Sequence, residues 1–154
     1  MAAKRLIKEL EQYNKQPSPA VPRLEPTSDD DLFHLTAELR GPEGTAYEGG
    51  TFTLHLTVPP TYPNSPPTIT FRTPCCHPNV SFSTGEICLD LLKSSWTPAY
   101  GLVSSLEAVQ QLLSAGGEAD SPLNLDIAKL VRDGDLVGAE GLVRLYTRMY
   151  AVGS

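Results

Sequence analysis

Residues 32–58, LFHLTAELRGPEGTAYEGGTFTLHLTV, contain two runs in which apolar and polar residues alternate. The second run, residues 51–58, is the more regular, with Phe52, Leu54 and Leu56 on one face. A period of two predicts β-strands that have one face on a core, as is typical of antiparallel sheets. The glycine-rich link between the runs is short, which favours a meander over parallel strands joined by long crossovers.

The flanking segments extend this sheet and add a helix in front of it. Residues 2–15 have an apolar stripe at helical spacing and predict an N-terminal helix. Four prolines interrupt residues 16–27, so we expect a loop or an edge strand there. Residues 68–72 predict a further short strand. Together these segments predict a four-stranded antiparallel meander.

After Pro98 the apolar period changes to that of a helix. Three helices are predicted, at 102–113, 124–131 and 136–150. Asp135 is placed to cap the last of them. Of the 14 prolines only Pro122 follows residue 100, which leaves room for helices in this part of the chain. The fold class is therefore α+β, in one domain at 1–154.

Composition excludes several classes of function. The formal net charge of −6 is unfavourable for sequence-independent binding to nucleic acid. No run of apolar residues has the length of a signal peptide or of a membrane span, so we expect no direct membrane insertion. Three cysteines are too few for a disulfide framework and are typical of a reducing compartment, the cytoplasm or nucleus.

Residues 74–96, PCCHPNVSFSTGEICLDLLKSSW, have no clear period and hold all three cysteines and the only tryptophan. A long irregular segment in a compact domain is usually functional. A zinc site would use Cys75, Cys76, His77 and Cys88, but adjacent ligands fit one tetrahedron poorly. A cysteine hydrolase would pair Cys88 with a histidine base, and no protease signature surrounds Cys88.

The order of short motifs in and around this segment resembles that of the ubiquitin-conjugating enzymes. The motifs are HPN at 77–79, GEICLDLL at 85–92 and WTPA at 96–99, flanked by YPNSPP and DSPL. The resemblance covers essentially the whole chain. It implies the ubiquitin-conjugating fold, with an irregular active-site segment between the sheet and the C-terminal helices. It also implies an enzyme that accepts ubiquitin as a thioester and transfers it to a substrate, with no cofactor and no metal.

The resemblance assigns roles to the residues of the motifs. Cys88 matches the cysteine that carries the thioester, and a thiol suits this role because it is highly nucleophilic. Asn79 matches an asparagine that either stabilises the oxyanion or holds the loop in shape. We expect His77 to support its own loop through ring hydrogen bonds. Asp90 matches an aspartate that is typical of enzymes specific for ubiquitin.

Ser121 matches a gate position that is often aspartate in the family. Serine cannot deprotonate an incoming lysine, whose free pKa is about 10.4. Two explanations stay open at this point. Either the neighbouring Asp120 takes over the role, or the preferred acceptor is a cysteine, which has a lower pKa.

The resemblance also implies partners. Lys4 and Arg5 match cations that meet the ubiquitin-activating enzyme. Two loops match the surface that receives RING-type ligases, and their residues are Tyr62, Pro63, Pro98 and Ala99.

The blocks DSPLNLDIAKLVRDGD and STGEICLDLLKSSWTP look most like the peroxisomal branch of the family. This implies a cytoplasmic enzyme recruited to the cytosolic face of the peroxisome by a membrane-anchored peroxin. Its expected role is to monoubiquitinate import receptors, on cysteine, for recycling. Tyr146 and Tyr150 lie on a broad apolar face of the last helix and are the predicted tether contacts. The alternatives are a general cytosolic enzyme that modifies lysines and an inactive interaction module.

Overall fold

A computed structural model of the chain describes residues 1–88, 93, 96–115 and 122–153. The described helices and strands follow the order helix, four strands, three helices. They are α1 (Ala2–Lys15), β1 (Arg23–Ser28), β2 (Asp31–Arg40), β3 (Thr51–Thr57), β4 (Thr68–Phe71), α2 (Leu102–Ala115), α3 (Leu125–Arg132) and α4 (Leu136–Tyr150).

The strands form one antiparallel sheet in the order β1-β2-β3-β4, so the predicted meander is confirmed. Alternation sets the register, since Leu35 pairs with Leu56 and Ala37 with Leu54 on the buried face. The segment that could be a loop or an edge strand contains the edge strand β1. Pro26 lies in it, where a sheet tolerates proline, and the ladder shifts register just after this residue.

The core lies on one face of the sheet, and both α1 and α2 contribute buried residues to it. Leu102, Leu106 and Val109 of α2 have no exposed surface, and neither does Leu6 of α1. Fully burying a leucine stabilises the fold by about 1.5–3 kcal/mol. Leu102, Leu106, Val109 and Leu113 are spaced by four, three and four residues, and this spacing places the apolar stripe of α2 in the core.

The two C-terminal helices begin at side-chain caps. The backbone N–H of Gly138 donates to Asp135 Oδ1 at 2.8 Å, which confirms the predicted cap of α4. The broad apolar face of α4 is covered only in part. Val143 is buried, whereas Met149 and Tyr150 are 57% and 44% exposed. None of the described helices combines the length and the apolar character that a membrane span requires.

Candidate active site

The active-site segment folds into two antiparallel arms. We call residues 75–80 the inner arm and residues 85–88 the outer arm. Val80 and Ile87 form a β-bridge between them. The backbone N–H of Cys88 donates to the carbonyl oxygen of Asn79 at 2.9 Å. This bond places the predicted nucleophile beside the asparagine of the HPN motif, nine residues earlier in the chain.

Gly85 fastens the outer arm to the edge of the sheet. Its carbonyl oxygen accepts the N–H of Phe71, the last residue of β4, at 2.9 Å. Its φ is +78°, and a Cβ at this position would lie 1.8 Å from the carbonyl oxygen of Phe71. Only glycine allows this close approach, so the G of the GEICLDLL motif has a structural role.

Cys88 differs from the other two cysteines in its exposure. It is half-buried, whereas Cys75 and Cys76 are 1% and 3% exposed. Burial raises the pKa of Cys75 well above its usual value and, with a contribution from Asp126, raises the pKa of Cys76 to about 12. Buried thiols with raised pKa values are poor nucleophiles. Of the three cysteines, only Cys88 is therefore suited to carry an acyl group.

His77 is 1% exposed, and both of its ring nitrogens have partners. Nδ1 accepts the backbone N–H of Asn79 at 3.1 Å, so Nε2 carries the proton and donates to the carbonyl oxygen of Leu112 at 3.0 Å. Burial lowers the pKa of His77 to about 4, which keeps the ring neutral. A base needs a free nitrogen, so this arrangement speaks against a hydrolase that uses His77 as its base.

The inner arm is also tied to the rest of the core through its backbone. The hydroxyl of Tyr47 donates to the carbonyl oxygen of Cys76 at 2.5 Å. The carbonyl oxygen of Pro78 accepts the N–H groups of Leu123 and Asn124 at 2.8 and 3.2 Å. Asn79 has no exposed surface. The arm is thus a rigid frame beneath Cys88.

Three of the predicted site residues, Asp90, Asp120 and Ser121, lie outside the described residues. Among the residues that are described, no group of three or more His, Cys, Asp or Glu side chains is arranged to hold a metal ion.

The predicted partner residues Lys4, Arg5, Pro98 and Ala99 differ in their exposure. Lys4, Pro98 and Ala99 are exposed. Arg5 is half-buried and donates through Nη2 to the carbonyl oxygens of Pro98 and Tyr100, at 3.1 and 2.8 Å. Its charge therefore already has partners within the chain.

The sequence-based placement of Tyr62 on the partner surface is wrong. This side chain is 2% exposed because it packs beneath its loop, and its hydroxyl donates to Glu9 at 2.5 Å. Pro63 is half-buried, and its carbonyl oxygen accepts the indole N–H of Trp96 at 2.9 Å. Tyr62 thus supports the loop from inside.

Sequence reasoning missed Glu9, Tyr47 and Phe82. Phe82 lies in the turn between the two arms and packs against α4, with its ring centroid 4.9 Å from that of Tyr146 and 5.7 Å from that of Tyr150. The spacing of Arg5 and Glu9 by four residues could have indicated their ion pair. The contacts of Tyr47 and Phe82 join distant parts of the chain and leave no local pattern.

The sequence profile of the family described as ubiquitin-conjugating enzyme matches residues 5–137. This match covers most of the chain and includes both arms of the active-site segment. The chain therefore belongs to the ubiquitin-conjugating enzyme family, and the fold predicted from the resemblance is confirmed.

Two relatives with similar sequences are named as peroxin-4 enzymes. The ubiquitin-conjugating enzyme E2 pex4 of Dictyostelium discoideum is 50% identical over 127 residues, which cover 82% of this chain and 85% of that protein. The ubiquitin-conjugating enzyme E2 PEX4 of Gibberella zeae is 45% identical over 148 residues, covering 94% and 86%. The predicted similarity to the peroxisomal branch is confirmed by these names.

A solved structure agrees with both findings. The ubiquitin-conjugating enzyme Pex4p of H. polymorpha, crystallised with the soluble domain of Pex22p, is 34% identical and has a TM-score of 0.89. The alignment covers 98% of this chain and 98% of that one.

Proposed function

We propose that this enzyme carries ubiquitin as a thioester on Cys88. The observation that carries the proposal is that Cys88, alone among three cysteines, is not buried and stands at the end of a fixed arm. The Cys88 sulfur would attack the thioester carbonyl of ubiquitin on the activating enzyme, whose thiolate leaves. An amine or thiol of the acceptor would then attack the new thioester, and the Cys88 thiolate would leave.

Asn79 would support this chemistry in one of two ways. Its burial and the backbone bond from Cys88 support the loop-holding role. A side-chain donor to the oxyanion would contribute about 3–4 kcal/mol to transfer. In Asn79→Asp, a loss of transfer of about 100-fold at unchanged stability would favour the oxyanion role. A loss of transfer accompanied by a lower free energy of unfolding would favour loop support.

Thioester formation can be tested directly. The chain is incubated with activating enzyme, ubiquitin and ATP, and the products are separated without reductant. We expect one adduct that reductant removes, and no adduct in Cys88→Ala. Cys76→Ala is the matched control and should still form the adduct. An adduct that survives Cys88→Ala, or none in the parent chain, contradicts the proposal.

We propose further that Lys4 of α1 and two exposed loop residues receive partners. Lys4 would meet the acidic surface of the activating enzyme, and Pro98 and Ala99, exposed beside the Tyr62–Pro67 loop, would receive a RING-type ligase. The membership of the family supports both partners.

The names of the relatives support a peroxisomal role. The enzyme would act in the cytoplasm, at the cytosolic face of the peroxisome, and monoubiquitinate import receptors on cysteine for their recycling. A membrane-anchored peroxin would hold it there, and the Pex4p structure in complex with the soluble domain of Pex22p supports such a partner.

The acceptor can be identified by discharging the thioester onto free cysteine and onto free lysine. Faster discharge onto lysine would favour the general cytosolic alternative.

The exposed part of α4 is the proposed tether surface. Leu145, Met149 and Tyr150 are 51%, 57% and 44% exposed and lie next to the stacked ring of Tyr146. A charge at Tyr150 should weaken binding to the soluble domain of a Pex22-type peroxin more than tenfold, because apolar contact is replaced by a buried charge. Val137→Glu, at the 85% exposed start of the same helix, is the matched control. Equal binding by both variants contradicts the tether surface.

A further inference from the structure

Glu9 of α1 bonds to two segments that are distant from it in the chain. Its Oε2 accepts the hydroxyl of Tyr62 at 2.5 Å, and its Oε1 accepts the backbone N–H of Leu102 at 2.7 Å. Oε2 also accepts Arg5 Nε at 2.9 Å. One carboxylate thus joins the N-terminal helix, the loop at Tyr62–Pro67 and the start of α2.

The contact with Leu102 places a carboxylate at the N-terminus of α2. Leu102 is the first residue of α2, and α2 has no acidic residue in its first turn. Glu9 supplies the negative charge that favours a helix N-terminus from another helix. A Cβ at Gly101 would lie 2.3 Å from Glu9 Oε1. The glycine before α2 therefore leaves room for the carboxylate to reach the backbone N–H of Leu102.

Arg5 extends the same connection to the second ligase loop. Its guanidinium bonds the carbonyl oxygens of Pro98 and Tyr100 and lies 5.8 Å from the centre of the Tyr62 ring. Because Arg5 Nε is bonded to Glu9, the position of the guanidinium depends on the carboxylate. Glu9 therefore acts on both loops, directly on one and through Arg5 on the other.

The single tryptophan lies between these loops. The indole of Trp96 donates to the carbonyl oxygen of Pro63, and its ring centroid is 6.0 Å from that of Tyr62 and 5.9 Å from that of Tyr100. Its emission therefore reports on the geometry of the two loops without interference from another tryptophan.

We propose that Glu9 is a positioning residue that fixes the ligase-docking surface, formed by the Tyr62–Pro67 loop and by Pro98 and Ala99. The inference rests on the proposed function of that surface. Glu9 does not touch the partner. It holds the loops in the docking geometry before the ligase arrives, so the ligase does not have to order them on binding.

The test compares Glu9→Gln with Glu11→Gln, an exposed position on the same helix. Glutamine keeps the shape of the side chain, but its NH₂ donors face the donors of Arg5. We expect Glu9→Gln to increase acrylamide quenching of Trp96. We also expect amide exchange at Leu102 to become about tenfold faster, because losing the charge weakens the hydrogen bond that protects this amide. Glu11→Gln should match the parent chain in both measurements.

The activity measurement separates docking from folding. A RING domain is chosen because it accelerates discharge of the parent thioester, and it is titrated against each charged variant. We expect the RING concentration for half-maximal discharge to rise about tenfold in Glu9→Gln. Discharge of the same charged variant without the RING domain should change less than twofold. Tyr62→Phe, which removes one bond and keeps the ring, should change Trp96 quenching in the same direction by a smaller factor.

Two outcomes overturn the inference. One is a Glu9→Gln chain with the Trp96 quenching and Leu102 exchange of the parent. The other is an equal loss of discharge with and without the RING domain, which indicates general destabilisation. Failure of the proposed function itself is distinguishable, because then the parent chain forms no thioester while the Trp96 and Leu102 measurements still decide the role of Glu9.

Discussion

The inner and outer arms of the active-site segment run side by side and differ in the exposure of their residues. In the inner arm, Cys75, Cys76, His77, Asn79 and Val80 are at most 3% exposed. The outer arm ends at the half-buried Cys88. The difference teaches that support and reactivity are divided between the arms. Buried polar groups with fixed partners make the frame, and the half-buried thiol of Cys88 stands at its edge.

The largest expected effect of this difference between the arms is on the reactivity of the three thiols. N-ethylmaleimide should label Cys88 of the native protein quickly. The labelling rates of Cys75 and Cys76 should be lower by a factor on the order of 10³, because buried thiols react only after local opening. Mass spectrometry over time gives the rates. Cys88→Ala should remove the fast phase and leave the slow ones. Similar rates for all three thiols would show that the inner arm is open.

The second test breaks the frame with acid. The pKa of His77 is about 4 in the folded chain and 6.5 when the histidine is solvated, so the unfolded chain binds the proton more tightly. Neutral His77 therefore contributes about 3 kcal/mol to the free energy of unfolding. This contribution is complete above about pH 6.5 and is lost as the pH falls toward 4.

Urea unfolding of the parent and of His77→Gln, each at several pH values, measures this effect. The free energy of unfolding should depend less on pH in the variant, because glutamine does not titrate. Parallel pH dependences of the two chains would contradict the assignment.

The third test separates the outer arm from the sheet. Gly85→Ala should lower the free energy of unfolding by more than about 2 kcal/mol. The backbone is left-handed at this position, and the added Cβ would also clash with Phe71 of β4. Gly134→Ala is the matched control, because its φ is +76° and no atom lies within 4 Å of the added Cβ. It should cost about 1–2 kcal/mol. Thermal unfolding measures both, and equal losses would mean that the contact with Phe71 has no effect.

The smallest effect is expected at the hydroxyl of Tyr47. Tyr47→Phe removes the hydrogen bond to the carbonyl oxygen of Cys76 and should lower the free energy of unfolding by about 1 kcal/mol. Tyr100→Phe, at an exposed ring, is a control that should leave stability within about 0.5 kcal/mol. A loss at Tyr47 no larger than that of the control would show that this bond adds nothing to the frame.

Much of the fold could be predicted because its causes are local. Alternation over residues 51–58 led to β3, and the carboxylate of Asp135 led to the start of α4. The resemblance of the motifs indicated Cys88 and the family. The burial of Tyr62 could not be predicted in the same way, because it depends on a bond to Glu9, 53 residues away in the chain.

The sequence by itself determined the strands, the helices, the meander and the family, since each depends on a periodic or ordered pattern along the chain. Only the tertiary structure decided which cysteine is not buried, that both ring nitrogens of His77 have partners, and that Glu9 joins α1 to Tyr62 and to the start of α2. These properties arise from burial and from bonds between distant residues. Such bonds form only when the sheet and α2 enclose the segment, so no local pattern encodes them.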